Sequence, residues 1–381
     1  MRQILSTARW AAVATAVLLA PVPVTAASAA PLCDLGGGAS SAGLSADANA
    51  HALTLTWEGE AGATLRARFG VRDGQPLIGE LAVHEKNGQW VELARDATPD
   101  FQVTTGKRRL STAQLRLMKQ FQKDSPQQIE ARKWDTFWDD PLVVPGGGTN
   151  STDLPRKPDE VRHARVAFHT VSCKVVKEGN RISVIFDGLS LGIFSGDLQF
   201  TVYKGSNLLR QEAVASTGEP SVAFIYRAGL TGLPIRGNTR LTWRDTARQP
   251  QKYEFGGAVN ADPVDLRARN RLAVLNAGAG ALAVFPPPHK FFFARENEVN
   301  LGYVYYRKDS NASFSLGVGQ PERSEGYHPW GVSDDVWKRR TATSHSEWEN
   351  FALYNAPPGT RQHMAVYYYL SVCPGTSQWI A

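Results

Sequence analysis

Residues 51–105 alternate apolar and polar side chains with a period of two, and no other feature limits the folding choices of the chain as much. Leu53, Leu55 and Trp57 interleave with Thr54, Thr56 and Glu58; Leu65, Ala67 and Phe69 interleave with Arg66 and Arg68. A period of two puts each set on one face of a strand, so these runs demand a sheet with one covered face. The dipeptides Asp73–Gly74 and Asn87–Gly88 separate the runs, and both suit two-residue hairpin turns. The segment reads as an antiparallel meander.

From residue 164 onward, short strand patterns return about every ten residues: 165–176, 181–187, 197–204, 207–216, 221–227, 239–245, 272–276, 281–285, 290–306, 313–318, 350–354 and 364–372. That spacing predicts a mainly β protein, a large antiparallel β-sandwich, and excludes alternating strand–helix units. Between the two β regions lies a helical pattern. Ser111 with Gln114 forms a capping box ahead of Leu115, Met118 and Phe121 at helical spacing, and Ser125, Pro126 and Gln128 start a second helix that carries Ile129, Trp134 and Phe137. A small helical-hairpin insertion follows. Glycines 146–148 and the prolines up to Pro158 mark a linker or long loop over 146–160, between the meander and helical hairpin of 30–145, expected to join the same sandwich, and the main sandwich strands of 161–381.

Residues 1–29 carry Arg2 and Arg9, an apolar run from Trp10 to Ala20 and the small residues Ala26 to Ala30, the pattern of a cleaved export signal. Cleavage after Ala29 is expected, and Leu32 before Cys33 argues against a lipid anchor. The apolar run falls short of the roughly 20 residues that span a bilayer, so a periplasmic or extracellular protein without membrane insertion is expected. Losing Arg2 and Arg9 lowers the formal net charge from +6 to +4. The remaining charges are interspersed, which argues against a nucleic-acid surface. Three cysteines, Cys33, Cys173 and Cys373, allow one disulfide and one thiol in an oxidising compartment, with the pairing open. Their spacings do not suit a zinc site, and no metal or cofactor motif is present.

Chemistry-bearing residues concentrate in 285–308. Three prolines, 286–288, end a strand and present His289 and Lys290. Beyond them Glu296 and Glu298 share one strand face, roughly 6.6 Å apart, close to the roughly 6.5–9.5 Å between carboxyls in inverting glycoside hydrolases. A solvated polar strand face explains the same pattern. Arg295 suits a sugar carboxylate, and Tyr303 and Tyr305 suit stacking or positioning. A second polar and aromatic stretch holds His328 and Trp330, either a sugar-binding rim or a loop folded back on the sandwich. Near the end, Val366, Tyr368 and Leu370 alternate with Tyr367 and Tyr369, so one set faces away from the core. His163, His169 and His363 each stand alone and read as structural.

The segments 285–308, 194–213, 251–260 and 350–360 together resemble an uncharacterised family of secreted bacterial β-rich proteins. That resemblance brings no activity with it. The predicted architecture is similar to the supersandwich of sugar epimerases and polysaccharide lyases, which implies a carbohydrate partner. The sequence therefore leads to an extracytoplasmic protein for a poly- or oligosaccharide, with acidic ones included. If catalytic, it would be a cofactor-independent lyase or glycoside hydrolase, with Glu296, Glu298 and His289 as proton-transfer groups. Arg295, Lys290, Tyr303, Tyr305, His328 and Trp330 would then bind substrate. The alternative is a non-catalytic carbohydrate-binding or structural envelope module.

Overall fold

The computed structural model describes residues 32–36, 40–84, 88–107, 115–132, 162–288, 303–320 and 354–372. Its strands build two large sheets. Sheet I runs in the order Cys33–Asp34, Cys173–Glu178, Arg181–Leu191, Phe194–Tyr203, Leu208–Ser216, Gln362–Val372, Gly280–Phe285, Ala273–Ala277, Arg240–Arg244 and Pro250–Tyr253. Sheet II runs Val264–Leu266, Val304–Lys308, Ser313–Gly319, Val222–Pro234, Trp90–Lys107, Gln75–His84, Thr64–Arg72, Leu53–Glu58 and Leu44–Ala48. The predicted meander is thus the second half of sheet II. Its Asp73–Gly74 turn is in place, with φ of 52° and 74° and Arg72 opposite Gln75. Glycine meets that positive φ without strain.

The 18-residue strand Trp90–Lys107 joins the meander to the later strands. On one side it pairs first with Gln75–His84 and then with Arg162–Arg165; on the other, Thr98–Lys107 pairs with Val222–Thr231. The short strands Cys33–Asp34, Leu44–Ala48, Pro250–Tyr253 and Val264–Leu266 are two to five residues long, too short for alternation to mark them in sequence, and each lies at a sheet edge. Edge strands make half the ladder bonds of central ones and carry a weaker pattern.

The core fills the space between the sheets. Phe69 of sheet II packs 4.6 Å from Phe200 and 6.1 Å from Phe186 of sheet I, and Phe194 meets Phe224 at 5.2 Å, ring centroid to centroid. Trp57 is 1% exposed and donates its indole N–H to Ser206 O at 2.9 Å. Two further polar ties cross the core. Gln211 Nε2 donates to Gly229 O at 2.8 Å, and the Tyr226 hydroxyl donates to Ala365 O while accepting from Ala365 N, both at 3.0 Å. Strand Gly280–Phe285 stops opposite Tyr367, where the three prolines begin. Past that point Tyr226 serves the polar groups of Ala365.

Of the helical insertion, the described residues include one π-helical turn, Leu117–Phe121, and one seven-residue helix, Pro126–Arg132. The second capping box forms as expected. Ser125 N donates to Gln128 Oε1 at 2.7 Å, and Gln128 N donates to Ser125 Oγ at 3.2 Å. Met118 is buried, but Phe121 is 73% exposed, so the apolar stripe does not continue into the core. Ser111, Gln114, Trp134, Phe137, the 146–160 stretch and the 1–29 segment lie outside the described residues. Among the described residues no helix is long and apolar enough to cross a membrane.

Cys33 and Cys173 form a disulfide with a sequence separation of 140, tying the two-residue N-terminal strand in parallel to Cys173–Glu178. Cys373 lies outside the described residues. Closing so long a loop restricts the unfolded chain strongly, so Cys33→Ser should cost about 2–5 kcal/mol, read as a lower urea midpoint than the oxidised wild type. A second prediction concerns alkaline pH. Burial pushes the Tyr306 and Tyr369 hydroxyls up to about 12, and Tyr226 and Tyr368 well above the ordinary value. Unfolded tyrosines ionise near about 10. Between those values the unfolded state loses its protons first, so stability present below about pH 10 drains away as pH climbs toward the folded values. The thermal midpoint should fall steeply above pH 10, and Tyr306→Phe should flatten that slope.

Candidate functional site

Of the residues expected from sequence, His289, Lys290, Arg295, Glu296, Glu298, His328 and Trp330 lie outside the described residues. Tyr303 and Tyr305 are described, and both are buried, at 2% and 3% exposure. The Tyr305 ring lies on the outer face of sheet II, where a Cβ on Gly317 would meet its hydroxyl at 2.8 Å. The Arg227 guanidinium covers it, 5.0 Å from the ring centroid. Burial carries its pKa far above the ordinary tyrosine value. Neither ring offers an open face for stacking.

The structure instead brings titratable groups together on the outer face of sheet I, at its centre. Strand Leu208–Ser216 turns Leu209, Gln211, Ala213 and Ala215 inward, which by period two turns Arg210, Glu212 and Val214 outward. Its neighbour Gln362–Val372 turns Met364, Val366, Tyr368 and Leu370 inward and His363, Ala365, Tyr367 and Tyr369 outward. Register puts Arg210 opposite Tyr367, Glu212 opposite Ala365 and Val214 opposite His363. Ala365 is small, so the space beside Glu212 is left to the diagonal neighbour. His363 Nδ1 reaches Glu212 Oε2 at 2.9 Å.

The Glu212 carboxylate is 1% exposed, against 52% for the His363 side chain. Arg210 Nη2 donates to the same Glu212 oxygen. A buried carboxylate is tolerable only with such partners, because desolvating an unpaired charge costs several kcal/mol or more. Burial presses the Arg210 guanidinium toward its neutral form most strongly of any single influence, but Glu212, Tyr367 and Tyr203 together outweigh it and the pKa ends above the ordinary value. Tyr367 stacks on Phe285 at 5.7 Å and 16° between planes, and burial raises its pKa. The result is a carboxylate–imidazole pair beside two half-buried, parallel rings. A carboxylate on Nδ1–H holds the neutral imidazole in the tautomer whose Nε2 accepts protons.

Sequence alone reads His363 as a lone structural histidine and does not single out Glu212, because 151 positions separate them. Neither stands in a motif. The available signal was the alternation at 363–370, which requires an outward face bearing His363, Tyr367 and Tyr369. Among the described residues no group of three His, Cys, Asp or Glu side chains could hold a metal ion.

No protein-family model and no curated protein matches the chain, so the family resemblance gains no support from either. Solved structures with some likeness include the GH36 α-galactosidase AgaB of Geobacillus stearothermophilus, at 10% identity and TM-score 0.35 over 84% of this chain. The chain spans 40% of that protein. A protein of glycosyl hydrolase family 38 from Enterococcus faecalis is 9% identical with TM-score 0.32, over 84% of this chain and 30% of its own. An Escherichia coli K12 protein provisionally assigned as an aldose 1-epimerase is 9% identical with TM-score 0.34, over 84% of this chain and all of its own.

The pairing makes its own stability prediction. Arg210→Ala leaves Glu212 buried with only His363 beside it and should cost about 3–5 kcal/mol in urea unfolding. The double variant Arg210→Met, Glu212→Leu should recover most of that loss.

Proposed function

We propose that the protein is extracytoplasmic and acts on a saccharide by acid/base chemistry, with His363 as the proton-transfer group and Glu212 as the residue that orients it. One observation carries the proposal: a carboxylate 1% exposed bonds to an imidazole that is half open to solvent, on the central strands of a sheet. Glu212 fixes the tautomer, Arg210 balances the carboxylate, and Tyr367 with Phe285 supplies flat apolar surface for the C–H face of a sugar ring. The Cys33–Cys173 disulfide supports export, since such bonds persist in oxidising compartments.

The composition of the site favours one reaction class over another. Glycoside hydrolysis ordinarily uses two carboxyls, whereas one carboxylate and one imidazole face each other here. A lone base suits proton abstraction from the carbon next to a uronate carboxylate. The C–H electrons form a carbon–carbon double bond as the glycosidic oxygen on the adjacent carbon departs, and that oxygen collects a proton. The reaction is a lyase elimination, and it needs no cofactor.

The test is a panel of uronate and neutral polysaccharides, assayed for unsaturated ends by ultraviolet absorbance and for reducing ends. Elimination should appear on a uronate polymer, and His363→Ala should lower its rate by roughly 10²–10⁴-fold. Glu212→Gln should lower kcat while leaving KM nearly unchanged. The rival proton-transfer set is Glu296, Glu298 and His289. If Glu296→Gln and Glu298→Gln abolish turnover while His363→Ala leaves it intact, the dyad is the wrong site. Binding without turnover in every protein supports the non-catalytic module.

A further inference from the structure

The opposite face of the molecule carries a cleft of about 320 Å³ over sheet II, lined by Gln102, Thr104, His163, Arg165, Arg227 and Gln320 among others. Register explains the grouping. Arg165 pairs with Gln102, which pairs with Arg227, so two arginines flank one strand; in the next outward row His163 pairs with Thr104, which pairs with Ile225. Strands lie about 4.8 Å apart, which puts the two arginine Cα atoms roughly 10 Å apart across the cleft.

Each guanidinium is held rigidly from outside the cleft. Arg165 donates from Nε and Nη2 to the two oxygens of Asp100 at 2.7 and 2.9 Å, and Arg227 donates from Nη1 and Nη2 to Asp265 at 2.8 and 3.0 Å. Asp100 is 4% exposed and lies one row further along the same face, opposite Gly229. Asp265 is on the edge strand Val264–Leu266. Neither aspartate lines the cleft, and no other carboxylate does among the described lining residues. The cleft wall therefore presents donors while their counter-charges sit behind it. Fixing both forks in advance removes most of the ordering cost that a flexible arginine would add on binding. The Arg165 side chain is 48% exposed, and its Nη1 takes no part in the Asp100 pair.

We infer that this cleft is a second binding site, separate from the Glu212–His363 pair, that takes a sugar acid: the carboxylate on Arg165 and Arg227, the hydroxyls on Thr104 and Gln102. With both forks engaged by aspartates, a charged N–H outside those pairs, such as Arg165 Nη1, still bonds a carboxylate more strongly than it bonds a neutral hydroxyl. The volume is at the small end of ligand sites and suits about one or two sugar rings. The inference stands on sheet II alone and does not depend on the acid/base reading of sheet I.

Calorimetric titration of the full protein carrying His363→Ala tests it without turnover. The probes are trigalacturonate, the neutral galactotriose and free acetate. Trigalacturonate should bind, more weakly at higher salt, while acetate and galactotriose bind far less; equal binding of the neutral trisaccharide overturns the proposal, and acetate binding as tightly as trigalacturonate reduces it to a bare carboxylate site. Arg165→Gln should weaken trigalacturonate roughly 10- to 100-fold. Because that change strands buried Asp100, Arg165→Lys and Thr104→Val serve as gentler variants, each checked for an unchanged thermal midpoint. Unchanged affinity in all three, or loss of the affinity in Glu212→Gln instead, assigns the binding elsewhere.

Discussion

The buried hydroxyl of Tyr226 holds the two sheets in register, and both outer faces inherit their geometry from it. It bonds the N–H and the carbonyl of Ala365, the residue opposite Glu212. Gln211, beside Glu212 in sequence, reaches across to Gly229 in the same way. Aromatic packing between Phe69, Phe186 and Phe200 supplies the bulk attraction, but such packing tolerates sliding. Directional bonds to a single backbone position do not. Because strand side chains alternate, fixing an inward residue also fixes its outward neighbours. Glu212 and His363 on one side, and Arg227 on the other, are each placed by a residue next to them that points into the core.

The outer faces differ in how they treat charge. On sheet I a carboxylate is buried with a cation and an imidazole, and the imidazole remains half open. That arrangement is suited to moving a proton. On sheet II the ions come as closed pairs, Arg165 with Asp100, Arg227 with Asp265 and Arg307 with Asp309, where each carboxylate restrains a guanidinium. Restrained donors suit recognition more than chemistry. The glycine pair Gly229 and Gly317 contributes by lacking side chains, which lets Tyr305 lie across the strands beneath Arg227.

Much of the architecture was legible in the residues. The alternation at 53–69, the Asp73–Gly74 turn, the strand ending at three prolines and the Ser125–Gln128 capping box all depend on neighbours within a few positions, and all four are present. The edge strands were not legible, since two to five residues are too few for alternation to mark a strand. Phe121 fits a helical stripe but lies exposed, because a stripe predicts burial only where another element covers it.

Local sequence, then, determined the strands, their inward faces and the two-sheet class, since period-two burial is a property of each segment by itself. Tertiary structure decided which strands became neighbours. That choice joined Cys33 to Cys173, brought His363 to Glu212 across 151 positions and set Arg165 and Arg227 on either side of Gln102. Pairing between distant strands follows from how two whole faces cover each other, and no single stretch of residues encodes it.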